Sequence, residues 1–313
     1  MVQFPENKVC VPTGEADMVR ALLVHDNYEW IARRAQALGI EAVPIKGIDL
    51  LQTVYAERFD RAVRDIDLLC YSEEDCRRLA SDLIGEGSYR LEFEFSLRPE
   101  ALAAKRKVSL LSNVKTKVNV DIHTALVTKK FFSRTVGTFN EDALQRIADG
   151  RLEAVDRWLF LAQHAAFHNF SDIKWVRDLK IIYQNFSEQQ RAETSRRGEQ
   201  YGFGRVVQAA LWHCSGQRRE TNGFLRFVRR FNCPWKHNLF YRFIAGFWEF
   251  AFIEKRSARM RAFRDLIFPN LGTLTNIYRV RHKALWPMYY LLNILIMLPA
   301  ALLFGAVYII MSR

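Results

Sequence analysis

Apolar side chains recur at helical spacing over residues 16–38 (ADMVRALLVHDNYEWIARRAQAL), and Gly39 follows where a left-handed C-cap is expected. A short apolar run at residues 42–45 reads as a strand and stops at Lys46-Gly47, after which IDLLQTVYA returns to helical spacing. Residues 63–70 (VRDIDLLC) predict a second strand. SEEDCRRLASDLI begins with Ser72 and three acids, the signature of a capped helix start. Strand-like alternation follows. Leu91, Phe93, Phe95 and Leu97 share one face, residues 107–111 predict another strand, and Val118, Val120 and Ile122 alternate with Asn119, Asp121 and His123. Beyond about residue 130 the spacing is helical. The pattern predicts an α+β domain with a small mixed sheet over residues 1–128, a helical domain over 129–285 and a membrane anchor over 286–313.

The anchor is expected because no charged residue occurs from position 287 to 311 (PMYYLLNILIMLPAALLFGAVYIIM), and a spanning helix needs roughly 20 apolar residues. Trp286, Tyr289 and Tyr290 mark one interface and Tyr308 lies near the other. Arg279, Arg281, His282 and Lys283 precede the run, so the positive-inside tendency puts the preceding domains in the cytoplasm, on a single-pass anchor of the inner membrane. A buried core helix and a re-entrant hairpin bent at Pro299 are the alternatives. A second apolar stretch, 239–253 (LFYRFIAGFWEFAFI), contains Arg242 and Glu249 and reads as a core or interfacial helix.

Charge sharpens this picture. Residues 186–285 hold 19 Lys/Arg against 7 Asp/Glu, which accounts for the whole net charge of +12 in the 313-residue chain. A basic block beside a membrane segment most simply faces anionic lipid. Nucleic acid is disfavoured as the partner because no nucleic-acid-binding motif accompanies the block. The N-terminus has no apolar run behind a basic start, so no secretory signal is expected. Five cysteines without a CxxC pair argue for reduced thiols rather than a disulfide framework or a zinc knuckle.

Asp65 and Asp67 carry the strongest chemical signal. On a strand, positions i and i+2 share a face, so both carboxylates project together while Ile66 and Leu68 pack behind them. Two neighbouring acids repel, and a divalent cation resolves that repulsion. Asp121, on the polar face of a later strand, is the third candidate, and three such acids can hold two Mg²⁺ or Mn²⁺ ions. A solvated edge strand would explain Asp-Ile-Asp alone equally well. Lys46-Gly47 adds weight, since a glycine between strand and helix lets a phosphate approach the backbone beside a positive charge. Arg58, Arg61 and Arg64 line the approach to the acidic strand and could clamp a triphosphate, or one or two could be plain surface residues.

PIKGIDLLQTVYAERFDRAVRDIDLLC resembles the motif of the polymerase-β-like nucleotidyltransferase superfamily, and more closely an uncharacterised nucleotidyltransferase family reading roughly LKG…L…Y…R…DIDLLV. The resemblance implies that Asp65 and Asp67 are a metal-binding pair, Gly47 the loop glycine, and Lys46 and Arg61 its basic partners. VDIHTAL resembles a later strand of that family, which implies Asp121 as the third carboxylate with His123 beside it. LAQHAAFHNFSDIKWVRDLKIIY is similar to its helical signature, at His164, His168, Lys174, Trp175 and Asp178. The implied fold is a nucleotidyltransferase-type α+β domain followed by helices.

His164 and His168 form HxxxH on one helical face, but Ala165 stands where a zinc protease needs its glutamate. The expected role is a face that closes over the nucleotide, with core or surface histidines as the equal alternative. No GxxxxGK[ST], GxGxxG or GxSxG motif points elsewhere. The sequence therefore predicts an enzyme in which Asp65, Asp67 and Asp121 bind two Mg²⁺. Lys46, Gly47, Arg61, Arg64, His123, His164, His168, Lys174 and Asp178 would bind an NTP. The nucleotidyl acceptor is then an unidentified group at the cytoplasmic membrane face, such as a lipid-linked sugar, an envelope glycan precursor or a membrane protein. The alternative is a catalytically weak nucleotide-binding module regulating a membrane complex.

Overall fold

The computed structural model describes residues 15–56, 60–91, 107–126, 139–168, 170, 172–215, 223–231, 248–253, 256–269 and 285–312. Contacts divide the chain into two compact units, Met1–Leu126 with Ala143–Glu153, and Val127–Asp142 with Ala154–Arg313.

The first unit is built on a five-stranded sheet in the order β1-β2-β5-β4-β3. Its strands are β1 (Ala42–Ile45), β2 (Asp65–Cys70), β3 (Tyr89–Leu91), β4 (Lys107–Asn113) and β5 (Asn119–His123). β2 and β5 are parallel and every other pair is antiparallel, so the sheet is mixed, as the alternating segments predicted. Of the alternating run at 91–97, only Leu91 is described, closing β3; Phe93, Phe95 and Leu97 lie outside the described residues.

Two helices cover one face of the sheet. α1 (Glu15–Ala37) ends at Gly39, whose φ of +67° provides the expected left-handed cap, with the Ile40 amide donating to the Ala35 carbonyl at 2.8 Å. α3 (Glu73–Gly85) starts under Ser72, whose Oγ accepts from the Asp75 amide at 3.0 Å. Between them Val24, Ile31, Leu79 and Leu83 pack on Ile66, Leu68, Val120 and Ile122, all with essentially no exposure. Each such buried aliphatic side chain contributes about 2 kcal/mol. Because the strand period is two, burying these residues turns Asp67, Asp121 and His123 to the other face. α2 (Gly47–Thr53) is a single short helix after β1.

The second unit contains α4 (Phe139–Gln145, which ends in the first unit), α5 (Ala154–Phe167), α6 (Ile173–Gln184), α7 (Glu188–Gln200), α8 (Gly204–Ser215), α9 (Gly223–Phe231), α10 (Trp248–Phe252), α11 (Arg256–Ile267) and α12 (Trp286–Ser312). Trp158 anchors its core, fully buried, with the indole donating to the Leu179 carbonyl at 3.0 Å. Asp156, also fully buried, pairs with Arg197 at 2.9 Å. Phe252 and Ile253 are buried, which makes the end of the 239–253 stretch core; residues 239–247 lie outside the described residues. Cys70, Cys76 and Cys214 are free thiols.

α12 is long and apolar enough to cross a membrane over Trp286–Ile310. It runs as one helix through Pro299, so the bent hairpin is not formed.

His213, on α8, stacks on Phe170 at 4.4 Å and meets the edge of Trp212 at 4.7 Å. Its Nε2 is buried with no hydrogen-bond partner among the described residues, and burial holds the imidazole down to about 4. An unfolded histidine titrates near 6.5. Above that pH both states are neutral and the fold has its full stability. As pH falls from about 6.5 towards 4 the unfolded chain takes up a proton that the folded chain refuses, so stability is lost. The loss is at most about 3 kcal/mol. Denaturant titrations across this window should show the decline, and His213→Phe should flatten that part of the profile.

Candidate active site

The site is assembled by the register of two parallel strands. Asp67 on β2 lies directly opposite Asp121 on β5, and His123 follows two positions later on the same face. One ligand atom from each of Asp67, Asp121 and His123 lies within 4.8 Å of the others. This group can hold a metal ion.

Asp67 is the hub. It is only 4 % exposed, and its Oδ1 accepts from Lys46 Nζ at 2.5 Å and sits 2.9 Å from His123 Nε2. Burial alone would raise its pKa. The Lys46 ammonium and the His123 hydrogen bond outweigh burial and hold the carboxyl well below the usual carboxylate range. Lys46 responds reciprocally. Burial disfavours its charge, but Asp67 first, then Asp121 and Asp65, keep the ammonium protonated beyond its ordinary range. His123 is pushed the other way, by burial and by the Lys46 charge, against the pull of Asp67. A neutral imidazole is the form that ligates metal. Its Nδ1 is buried and has no hydrogen-bond partner among the described residues. Two carboxylates with one imidazole fit a divalent cation, and the nitrogen donor suits Mn²⁺ better than Mg²⁺.

Lys46 reaches Asp67 because of its backbone. Ile45 pairs with Asp67 across β1 and β2, and the next residue turns sharply with φ 57° and ψ −120°. A non-glycine residue in this region stores strain on the order of 1–3 kcal/mol, a feature that clusters at functional sites. Gly47 meets a packing need at the turn. A Cβ there would stand 2.9 Å from both Arg61 Nη1 and Val63 Cγ1. The missing side chain makes room for the 5 %-exposed Arg61 against the turn. Gly47→Ala should therefore displace Arg61 and cost about 1–3 kcal/mol. Thermal denaturation measures this, with Val63→Ala as a second change that should recover part of it.

The other predicted residues are placed less closely. Asp65 is exposed at the start of β2 and is not among the three clustered ligands, although its charge reaches Lys46. Arg64 is exposed, and Arg58 lies outside the described residues. Sequence reading missed Arg20 on α1. Its guanidinium donates to the carbonyls of Thr116, Lys117 and Arg64 at 3.1, 2.9 and 3.0 Å. Arg20 thereby ties the entry of β2, one residue before Asp65, to the turn before β5. A polar position on an amphipathic helix gives no hint of this.

His164, His168, Lys174 and Asp178 belong to the second unit. There His164, His168 and Trp175 form a mutual ring cluster with centroids 4.8–5.2 Å apart. Lys174 pairs with Asp172 at 3.4 Å and lies over the Trp175 ring, and Asp178 is 1 % exposed.

The sequence model of a family described as Uncharacterised nucleotidyltransferase matches residues 14–216, more than half of the chain. The match takes in the sheet, both metal-facing strands and helices α5 to α8, and ends before α9. No curated protein matches the sequence at a significant level.

Proposed function

The chain belongs to this uncharacterised nucleotidyltransferase family, and from that premise we propose that it moves a nucleotidyl group from an NTP to an acceptor at the cytoplasmic face of the inner membrane. The observation that carries the reading is the grouping of Asp67, Asp121 and His123 around one small volume. These three residues would hold a divalent cation, Mg²⁺ or Mn²⁺, and Asp65 at the mouth of β2 would help to hold a second. When bound, the cation draws charge from the reacting phosphate and orients it.

The chain's own groups do the rest. Lys46 balances the buried carboxylates and would supply positive charge to the triphosphate. Arg61, wedged against the Gly47 turn, supplies a second positive charge for the β- and γ-phosphates. Arg64, at the entry to β2, adds a third. The acceptor oxygen forms its bond to the α-phosphorus as the bond to the bridging oxygen breaks, and pyrophosphate leaves. The acceptor's proton passes to an Asp121 oxygen. In the second unit, the ring cluster of His164, His168 and Trp175, with Lys174 over the Trp175 ring, offers a stacking surface of its own. The acceptor class, a lipid-linked or glycan precursor, follows from the membrane location.

The test is to incubate the detergent-solubilised full chain with labelled NTPs, Mn²⁺ or Mg²⁺ and a membrane extract. Release of pyrophosphate with a labelled acceptor supports transfer. Tight NTP binding without pyrophosphate from any extract replaces transfer with a nucleotide-sensing role, and absence of NTP binding overturns both.

A further inference from the structure

The composition of α12 is apolar on every side, but its surroundings are not uniform. One line of its side chains faces the helical unit along almost the whole helix. The Tyr290 hydroxyl donates to the Pro269 carbonyl at 2.7 Å. The amide of Asn293, with no exposure, donates to the carbonyls of Leu266 and Ile267, both at 2.9 Å. Ala300 and Ala301 are buried, and Phe304 and Tyr308 pack edge-on against Phe227 of α9, with centroids 5.9 and 4.7 Å away. From Tyr290 to Tyr308 this line extends about 27 Å at the helical rise, nearly the roughly 30 Å of a hydrocarbon core.

The flanking helices are not built for hydrocarbon. α11 carries Arg256, Arg261 and Arg264, all exposed. It packs against α12. Its Leu266–Ile267 end meets Asn293, while Arg259 near its start lies within electrostatic reach of Tyr308. A helix crossing the bilayer in this arrangement would carry α11 and its arginines into the hydrocarbon, where charged side chains are costly and lipid offers no partner. The face of α12 turned away from the unit has the opposite character. At about 100° per residue, Leu291, Leu295, Leu298, Leu302 and Ile309 fall within about 40° of one line. Leu295 and Leu302 are 63 and 65 % exposed.

We infer that α12 lies in the plane of the membrane surface, its leucine face sunk into the acyl region of one leaflet and the arginines of α11 set against anionic headgroups. This rests on the membrane attachment proposed above and replaces the single crossing that the sequence alone suggests. Exposed apolar side chains along one helix face and exposed arginines on the helix beside it match the two layers of a lipid surface, an acyl layer beneath anionic phosphates. The attachment lies in residues 223–312, outside the family match, which ends at residue 216.

The experiment uses the full chain with a protease-cleavable tag at each end, in sealed inverted membrane vesicles. Protease added outside should remove both tags to the same extent, with the cleaved chain remaining on the membrane through a high-salt wash. Tags on opposite faces overturn the in-plane arrangement and leave membrane attachment standing. A chain found only in the soluble fraction overturns the attachment itself, and neither result touches NTP turnover. In vesicles of phosphatidylcholine with phosphatidylglycerol, Leu295→Arg with Leu302→Arg should abolish binding. Arg256→Gln, Arg261→Gln and Arg264→Gln together should weaken it about a hundredfold. Binding by the triple variant equal to wild type, with an unchanged circular dichroism spectrum, overturns the headgroup contact.

Discussion

Asp67→Asn is expected to reduce nucleotidyl transfer by at least about a hundredfold while the protein remains folded. Asp67 touches both Lys46 and His123 through a single oxygen. Asparagine keeps the shape and can still accept from Lys46, so the fold is retained, at a lower denaturant midpoint because the buried ion pair loses its negative partner. It cannot supply the negative charge that binds a cation and orients the imidazole. Asp121→Asn should show a loss of the same order, because its side chain completes the three-ligand group. Asp65→Asn should be milder, since Asp65 is exposed and outside that group. Pyrophosphate release checks the ranking, and denaturant midpoints check the fold. If Asp67→Asn retains more than about a tenth of wild-type turnover, Asp67 is not a metal ligand in the reaction.

Lys46→Met should have the largest effect on stability. It leaves the buried Asp67 carboxylate without its main counter-charge, and breaking a buried ion pair from one side costs about 3–5 kcal/mol. The Lys46 side chain is 19 % exposed, so the lower end of that range applies. The left-handed backbone at position 46 remains in the variant. The variant should also respond to metal. With a chelator present its denaturation midpoint should be far below wild type. Added Mn²⁺ should restore a substantial part, because the cation replaces the ammonium as partner of the carboxylates. The wild type should gain less from Mn²⁺. Equal gains in the two proteins would mean that Lys46 and the cation do not act on the same charges.

The sheet and its chemical face were legible because alternation is a local property. Asp65-Ile66-Asp67-Leu68 and Val120-Asp121-Ile122-His123 each declare an apolar side and a polar side, and apolar burial leaves only one way to orient them. The parallel pairing that sets Asp67 opposite Asp121 is not local, and spacing along the chain could not supply it. The Lys46 turn was hidden for a related reason. Lysine is an unexpected residue at positive φ, and what holds it there is an ion pair with a residue on the neighbouring strand. Gly47 announced a close approach, and the fold adds that Arg61 and Val63 stand against its backbone. On α12 almost every residue is apolar, so burial and exposure leave little mark on composition. Asn293 is the polar signal within the apolar run, and it lies on the line that faces the helical unit.

Manganese binding measured by electron paramagnetic resonance tests the central claim most directly. Titrating the full chain with Mn²⁺ in the presence of a non-hydrolysable NTP analogue should quench the free-ion signal in the wild type. Asp67→Asn and Asp121→Asn should leave the signal at the level of buffer. Wild-type protein that leaves the free-ion signal intact, or variants that quench it as fully as wild type, would contradict a metal centre formed by Asp67, Asp121 and His123.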